Sequence, residues 1–445
     1  VQLGDLDPLA LQSVKRFPIG STFFLPSPDS GRWVLDRGPA DNANDVVAGD
    51  DGFSRFTPLV AGDYEFRVAG TSERRTLTAV ADVPYEHFNY YQTTSLARVD
   101  DELWVAHLFD AHLSRIDPAT GAVLGTLQTG PWPSALAFSA KEGVVLVAHK
   151  AGDTVGFIDV GTDGAASRMV DALWVGDEPA DIAMSADGAT AYVSLATEGA
   201  VVVIDVARRA VIGRVETNDN PTSLALSADG ATLYVASYRS AVSDRLQFAA
   251  DARNDQYDIA VVDTAALAVR DHIAGVGSVI GALLLADDRL YVATTRVALA
   301  ELSNQEGMTA FRHSVAVYDT SSLAELVAVD VGRQDSSGGL AVRPFGMALA
   351  GDTLWVTFEG SDVVVGLDRD TLAETGRFPA AGRPRAILAS DDQLFVHGAQ
   401  AYLLTEASDG AVTRTIALAG DPREPGLALG QNLYTGVGAK GGTNH

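Results

Sequence analysis

An internal repeat of short apolar segments is the feature that most constrains how this chain folds. Seven segments share a pattern of aromatic and small apolar residues, and turns rich in Asp and Gly, such as SADGAT, precede them. The segments are LWVAH (103–107), VLVAH (145–149), AYVSL (191–195), LYVAS (233–237), LYVAT (290–294), LWVTF (354–358) and LFVHG (394–398). Alternation with much Val, Tyr and Trp is typical of β-strands. The repeat therefore predicts an all-β fold.

The spacing of the repeat identifies its architecture. In each unit a third strand ends in an acid, and successive acids lie 38 to 58 residues apart. These acids are Asp117, Asp159, Asp205, Asp263, Asp319, Asp368 and Glu406. Four-stranded units with a period of ~40–50 residues are typical of propeller blades. Since one blade is too small to bury a core alone, the sequence predicts a seven-bladed β-propeller over residues 85–421.

Two of the repeats resemble a known family. Residues 179–194 and 221–236 follow the pattern P-x-x-[LI]-A-[LFM]-S-x-D-G-x-x-[LA]-Y-V-[AS], which resembles the YVTN-type β-propeller repeat proteins of prokaryotic surfaces and periplasm. The resemblance covers about three quarters of the chain. It implies a propeller fold and a periplasmic or cell-surface location, but it implies little about function because propellers host many activities.

Residues 1–84 do not follow the repeat. Trp33 and the alternating segment GDYEFRV at 62–68 look like parts of a small Ig-like or PKD-like β-sandwich. In that interpretation Trp33 is the core aromatic and Tyr64 is a tyrosine-corner residue. We therefore expect an N-terminal Ig-like domain in front of the propeller.

Residues 422–445 allow several interpretations. GLALGQNLYTG at 426–436 reads as closing strands that would make the propeller eight-bladed, as a linker, or as the start of a C-terminal domain. The phrase LALGQNLYTG also resembles the opening helix of MauG-like di-haem peroxidase domains, which follow such propellers. That family carries a Cys-x-x-Cys-His motif soon afterwards, and this chain has no cysteine. The resemblance implies a haem protein as a partner, with the haem held outside these residues.

The charge balance excludes several classes of function. With 58 acidic and 32 basic side chains the net charge is −26, which opposes binding to nucleic acid or to anionic membranes. No apolar stretch approaches the ~18 residues of a membrane helix, so no membrane insertion is expected. The absence of cysteine excludes disulfides, thiolate metal sites and covalent c-type haem within these residues. The chain begins at Val1 without Met, from which we expect an exported, periplasmic or extracellular protein.

One face of the propeller carries the candidate partner-binding residues. Long loops at 237–258 and 295–313 and a long connector at 331–343 all fall on this face, and long loops in repeat proteins usually bind. The candidates are Tyr238 and Arg239 in the first loop and Trp132, Arg343, Arg383 and Arg385 in connectors. Arginines among so many acids would hold an anion, a carboxylate or an acidic peptide. The alternative, equally open, is that each arginine pairs with an acid of the neighbouring blade.

Histidines at the ends of two second strands are candidate metal ligands. His107, Asp110 and His112 form H-x-x-D-x-H, and His149 lies at the equivalent point of the next blade. Imidazole and carboxylate at this spacing suit copper or zinc. The alternative is that these histidines donate to backbone carbonyls. A loop containing Asp41, Asn42, Asn44, Asp45, Asp50 and Asp51 offers oxygen ligands for calcium, although it lacks EF-hand spacing and also reads as a solvated loop.

The remaining motifs favour binding over catalysis. The recurrent acids stand where strand three meets a turn, so we expect them to accept backbone N–H groups and fix that turn. No nucleophile elbow, phosphate loop or dinucleotide fingerprint occurs. The sequence predicts an exported binding or scaffold protein that contacts a protein partner within a larger assembly. A redox-associated role, through a haem partner or a copper or zinc site, is the alternative, and a lyase or hydrolase acting in the central channel is a third.

Overall fold

A computed structural model describes most of the chain. The described residues are 16–18, 23–26, 28, 31–48, 53–80, 94–108, 111–161, 166–218, 220–237, 259–277, 279–297, 311–331, 343–390, 392–399 and 402–418. All regular structure in these ranges is β-strand, which confirms the expected all-β class. Within the same ranges no helix is long and apolar enough to span a membrane.

The N-terminal strands form two small sheets. The strands are β1 (Arg16–Pro18), β2 (Phe23–Pro26), β3 (Trp33–Arg37), β4 (Val47–Ala48), β5 (Phe53–Phe56), β6 (Gly62–Val68) and β7 (Arg74–Val80). One sheet has the order β1-β7-β6-β3 and the other β2-β5-β4. β1 pairs with β7 in parallel, and the other neighbours are antiparallel. We refer to residues 16–80 of this part as the N-terminal module.

Aromatic side chains fill the core of the N-terminal module. Trp33 is buried, as the sequence predicted, and lies in one cluster with Phe56, Tyr64 and Phe66. The Phe56 ring meets Tyr64 and Phe66 edge-on, with centroids 5.1 and 4.9 Å away. The Tyr64 hydroxyl donates to the Val60 carbonyl at 2.6 Å, and the Ig-like identity of the module stays a prediction.

Among the described residues, seven four-stranded antiparallel sheets follow, numbered here 1 to 7 in chain order. Sheets 1 to 3 contain β8 (Leu96–Val99), β9 (Glu102–His107), β10 (His112–Ile116), β11 (Val123–Gln128); β12 (Pro133–Ser139), β13 (Val144–His149), β14 (Thr154–Asp159), β15 (Arg168–Trp174); and β16 (Pro179–Met184), β17 (Thr190–Leu195), β18 (Ala200–Asp205), β19 (Ala210–Glu216). Sheets 4 and 5 contain β20 (Pro221–Leu226), β21 (Thr232–Ser237), β22 (Ile259–Asp263), β23 (Ala268–Ile273); and β24 (Val279–Ala286), β25 (Arg289–Val297), β26 (Phe311–Asp319), β27 (Glu325–Asp330). Sheets 6 and 7 contain β28 (Pro344–Ala350), β29 (Thr353–Phe358), β30 (Val363–Asp368), β31 (Glu374–Pro379); and β32 (Pro384–Ser390), β33 (Gln393–Gly398), β34 (Leu403–Ser408), β35 (Ala411–Ala417).

Apolar seams join these sheets in a cycle, which makes the fold a β-propeller. Each sheet contributes side chains to one cluster with the sheet before it and another with the sheet after it. The last seam joins sheet 7 to sheet 1, with Phe395 and Leu404 packed against Leu103 and Val105. The first strands also contact one another around the cycle, including β32 with β8. Residues 422–436, which would have supplied an eighth unit, lie outside the described residues.

The two ends of the sheets are called here the upper and lower faces. At the upper face the first strand of a sheet begins and the second strand ends, so that Pro133 pairs with His149 and Pro384 with Gly398. The hairpin of β25 and β26 continues upward to the pair Val297–Phe311, and both its strands have nine residues where most others have six. Residues 238–258, 298–310 and 332–342, which the sequence predicts to belong to this face, lie outside the described residues.

At the lower face, five of the seven recurrent acids cap turns as predicted. Their carboxylates accept backbone N–H groups two or three residues ahead, as in the bond from the Ala119 N–H to Asp117 at 2.9 Å. The five are Asp117, Asp205, Asp263, Asp319 and Asp368. The prediction for Glu406 is wrong, because Glu406 lies inside β34, which ends at Ser408. Its carboxylate accepts from Arg414 and Gln393 on the neighbouring strands.

The N-terminal module packs onto the upper face of sheets 1 and 2. Its apolar cluster continues into Leu108, Trp132 and Ala151, which follow or precede strands of those sheets. The Arg75 guanidinium lies over the Trp174 ring of sheet 2, 5.2 Å from its centroid, and 5.9 Å from that of Trp33. One side of the upper face is therefore covered by the module.

The seam between sheets 7 and 1 is expected to control stability of the whole ring. Phe395 is fully buried there, so Phe395→Ala should lower the free energy of unfolding by about 3–5 kcal/mol. Val412→Ala is the matched control, since Val412 is 39% exposed on the outer strand of the same sheet. It should change the free energy of unfolding by less than about 0.5 kcal/mol. Urea titration followed by fluorescence measures both. Equal effects of the two substitutions would contradict the importance of this seam.

Candidate functional site

Three of the predicted arginines converge on one buried carboxylate at the upper face. Glu359, directly after β29, contacts Arg343 at 2.9 Å, Arg383 at 3.1 Å and Arg385 at 2.5 Å. The Glu359 side chain is fully buried, whereas those of Arg385, Arg383 and Arg343 are 5%, 12% and 35% exposed. We call these four residues the arginine cluster. Of the two interpretations left open above, pairing with an acid of a neighbouring sheet is observed for Arg383 and Arg385 of sheet 7, whose partner Glu359 follows a strand of sheet 6.

The arginine cluster carries more positive than negative charge. Burial by itself raises the pKa of Glu359, but the three guanidiniums outweigh it and hold that pKa below its ordinary value. Burial lowers the pKa of Arg385, and the Glu359 charge opposes that effect. Asp362 accepts from the backbone N–H of Arg383 at 2.8 Å, and burial raises its pKa.

Lys150 adds a further positive charge to this region. It follows β13 of sheet 2, the position that Glu359 holds in sheet 6, and it is 5% exposed. Burial lowers the pKa of Lys150, and the Arg385 charge lowers it further. These two effects outweigh the contact with Glu178 at 3.8 Å, which raises that pKa.

The backbone directs several of these side chains to the upper face. Residues immediately before the proline that begins a first strand have a left-handed conformation, with φ between 54° and 62°. They are Trp132, Glu178, Asn220, Arg343 and Arg383. Such values are uncommon for residues other than glycine and cost of order 1–3 kcal/mol each. The repeated geometry places different side chains at equivalent points of five sheets.

The structure separates the other predicted partner-binding residues. Trp132 is 7% exposed and belongs to the cluster beneath the N-terminal module, away from the arginine cluster. Tyr238 and Arg239 lie outside the described residues. Sequence reasoning missed Glu359 and Lys150. The signal for both was a charged residue directly after the second strand, where equivalent repeats have Ala196 and Ala399.

A buried aspartate ties three sheets together on the other side of the ring. Asp181 of β16 accepts a short hydrogen bond from the Thr94 hydroxyl next to sheet 1. Its other carboxylate oxygen accepts from the Leu224 backbone N–H of sheet 4 at 2.9 Å. Asp181 is 2% exposed. This tie bridges sheets 1, 3 and 4 near the upper face, opposite the arginine cluster of sheets 6 and 7.

Four histidines are buried near the upper face. Each of them bonds to side-chain hydroxyls. His107 bonds to Ser114, His313 to Thr295 and His397 to Ser95. His149 bonds to both Thr129 and Thr154. The Gly130 N–H also donates to Nε2 of His149 at 3.0 Å, so that nitrogen is an acceptor and the proton is on Nδ1. The sequence also allowed these histidines to donate to backbone carbonyls. In the structure their ring nitrogens bond to side-chain hydroxyls instead.

The predicted metal set is only partly brought together. His107 and His112 are directly paired across β9 and β10, and Asp110 lies outside the described residues. Both ring nitrogens of His149 are engaged by Thr129, Gly130 and Thr154. The His107 ring instead stacks on the Tyr402 ring, with centroids 5.1 Å apart, and lies 6.2 Å from that of His397. Among the described residues no group of three His, Cys, Asp or Glu is arranged to hold a metal ion.

The predicted calcium loop uses three of its side chains for its own structure, including Asp45, which accepts from the Val46 N–H at 2.7 Å. The Asn44 amide donates to the Thr57 carbonyl at 2.8 Å, and Asn42 accepts from the Leu59 N–H at 3.1 Å. Asp50 and Asp51 lie outside the described residues.

Comparison with solved structures supports the fold. A chain of Kuenenia stuttgartiensis hydrazine synthase matches with a TM-score of 0.61 and 18% identity, covering 72% of this chain and 97% of that chain. The computationally designed Ika8 protein matches with a TM-score of 0.50 and 15% identity, covering 74% and 89%. No protein-family model and no curated protein matches the chain. At identities of 18% and 15%, these similarities show the fold alone.

Breaking the arginine cluster should be strongly destabilising. Glu359→Gln leaves three guanidiniums facing one another without their carboxylate, so we expect a loss of about 3–5 kcal/mol in the free energy of unfolding. The control is Glu374→Gln, which removes an exposed carboxylate bonded to Arg377 at 2.7 Å and should cost below about 1 kcal/mol. Chemical denaturation measures both. Similar losses for the two substitutions would show that burial does not increase the contribution of Glu359 to the free energy of unfolding.

The buried histidines should make stability depend on pH between 6.5 and 5. Desolvation lowers the pKa of His107 and His313 to about 4 and that of His149 and His397 to about 3. Because the unfolded chain takes up protons first, stability is lost as the pH falls below about 6.5, by up to ~1.4 kcal/mol per pH unit for each histidine.

A histidine substitution tests this pH dependence. His149→Gln should reduce the slope of unfolding free energy against pH by the contribution of about one proton, up to ~1.4 kcal/mol per pH unit. His272→Asn, which changes an exposed histidine, should leave the slope as in the parent protein. A parent slope of zero between pH 6.5 and 5 would contradict the burial of these rings as neutral imidazoles.

Proposed function

We propose that this chain is an exported binding or scaffold protein whose upper face holds a protein partner. In this proposal an Ig-like module (1–84) precedes a seven-bladed YVTN-type propeller (85–421), and residues 422–445 close it or lead onward. The location is periplasmic or extracellular, as the repeat motif implies. The propeller fold itself is typical of proteins that bind others through one face.

The arginine cluster is the observation that carries this proposal. The lower face repeats the same Asp-capped turns in five of the seven described sheets, where they serve folding. The upper face bears charged groups that do not repeat, and its arginines give a local positive charge in a protein of net charge −26. Local charge of the opposite sign to the whole would select an acidic segment of a partner and orient its approach.

The alternative is a redox-associated role with a haem protein partner or a copper or zinc ion. The approach of the His107 and His397 rings favours it, because two imidazoles 6.2 Å apart are nearly close enough to share a metal. The Arg385 charge, which contributes to lowering the pKa of His397, disfavours a cation there. Stoichiometric copper or zinc in dialysed native protein, lost in His107→Ala, would favour this alternative.

Charge reversal on each face tests the proposal of a binding face. Arg343→Glu should reduce capture of the native partner from its own extract by about tenfold or more, since it replaces attraction by repulsion. Arg208→Glu is the control, because Arg208 is an exposed residue of a lower-face turn beside Asp205. Affinity capture with quantitative mass spectrometry, checked by cross-linking, measures both. Equal capture by the two variants would remove the upper face from consideration.

A further inference from the structure

We propose that the seam between sheets 7 and 1 is a gate, at which the ring opens and closes while the other seams stay shut. The gate is a property of the propeller itself, so this inference does not depend on what the upper face binds. Opening exposes the apolar side chains of the seam, including Phe395 and Leu103, and separates the upper ends of sheets 7 and 1.

The first reason is the order of the strands. Among the described residues, sheets 1 and 7 each consist of four strands that are consecutive in the chain, so the two sheets share no strand. Successive sheets elsewhere in the ring are joined by the chain itself, for example through residues 129–132 and 380–383. A short connector keeps two separated sheets near each other, whereas sheets 7 and 1 are joined only through the whole ring. Separation at that seam therefore gains the most conformational entropy.

The second reason is the position of the buried carboxylates that join different sheets. Asp181 of sheet 3 accepts from the Leu224 N–H of sheet 4 and from the Thr94 hydroxyl next to sheet 1. Glu359 joins sheet 6 to sheet 7 through two arginines of sheet 7. One carboxylate thus holds sheets 1, 3 and 4 together and the other holds sheets 6 and 7 together. Neither of them crosses the seam between sheets 7 and 1.

The third reason is the kind of hydrogen bond that crosses this seam. The Ser95 hydroxyl, directly before β8, bonds to Nδ1 of His397 at 2.8 Å, and the Arg414 guanidinium donates to the Pro118 carbonyl at 2.9 Å. Neither bond joins opposite charges, since Arg414 is paired with Glu406 of its own sheet. Both are therefore weaker than the bonds between opposite charges that join sheets 6 and 7.

Two further features of the seam disfavour closure. β8 has four residues, whereas the first strands of the other six sheets have six to eight, so sheet 1 offers its neighbour the shortest inner strand. Nε2 of His397 is buried and has no hydrogen-bond partner among the described residues, which is costly until opening returns it to water. The packing of Phe395 and Leu404 against sheet 1 opposes these effects, so the closed ring is the main state and the open ring a minor one.

Hydrogen exchange of the full-length protein at neutral pH, followed by mass spectrometry of its peptides, tests the gate. The second strands β9 and β33 lie in the two sheets that form the seam, and β17 and β21 are their equivalents in sheets 3 and 4. After correction for intrinsic rates, β9 and β33 should exchange about 10-fold or more faster than β17 and β21. Their protection should also decrease together at low urea concentration, because one opening exposes both.

A substitution at the seam tests the same gate from one of its bonds. Ser95→Ala leaves Nδ1 of His397 without the Ser95 hydroxyl, so exchange of β9 and β33 should become about 5-fold or more faster. The matched control is Ser139→Ala, because Ser139 is also fully buried and donates to the Gly188 carbonyl of sheet 3 at 2.8 Å. Residues 175–178 connect the sheets on either side of that bond. Ser139→Ala should therefore leave exchange of β9 and β33 as in the parent protein.

Three results would overturn the inference. The first is equal protection of β9, β33, β17 and β21, which would mean that the ring opens only by unfolding as a whole. The second is faster exchange at another seam than at the seam between sheets 7 and 1. The third is an equal effect of Ser95→Ala and Ser139→Ala on β9 and β33. If Ser95→Ala does not fold, the comparison of peptides within the parent protein still decides between a gate and a uniformly closed ring.

Discussion

Packing between neighbouring sheets is the interaction on which the rest of this structure depends. A single four-stranded sheet here buries little by itself, and each gains its core from the two sheets beside it. The seam that joins Phe395 of sheet 7 to Leu103 of sheet 1 completes the cycle and leaves no sheet face open. Every group at the upper face, including Glu359, keeps its position only because this cycle holds the strand ends together.

The closed ring lets the two faces serve different purposes. At the lower face, carboxylates such as Asp117 and Asp368 accept backbone N–H groups and are already satisfied by their own turns. At the upper face, buried charges face charges from other sheets, so their energetics depend on what lies across the ring. Asp181 stabilises one side of that face, and the arginine cluster occupies the other.

The strands, their order and the turn-fixing acids were predictable from sequence because they follow local rules. Alternation and Asp-Gly turns specify a strand wherever they occur, so the repeat identified each sheet. The site was only half predictable: Arg343, Arg383 and Arg385 stood out, but their common partner did not. Glu359 lies between Arg343 and Arg383 in the chain, and only the ring brings all three together. The burial of His149 among hydroxyls is likewise a property of packing that no spacing reveals.

The left-handed residue before these first-strand prolines affects how the protein's sequence can evolve. At Trp132, Glu178, Asn220, Arg343 and Arg383 the backbone geometry is the same while the side chains are apolar, acidic, amide and basic. The fold therefore constrains the torsion angle there and leaves the chemistry open. A single substitution at such a point therefore changes the group presented at the upper face, while the torsion angle and the path of the backbone stay the same.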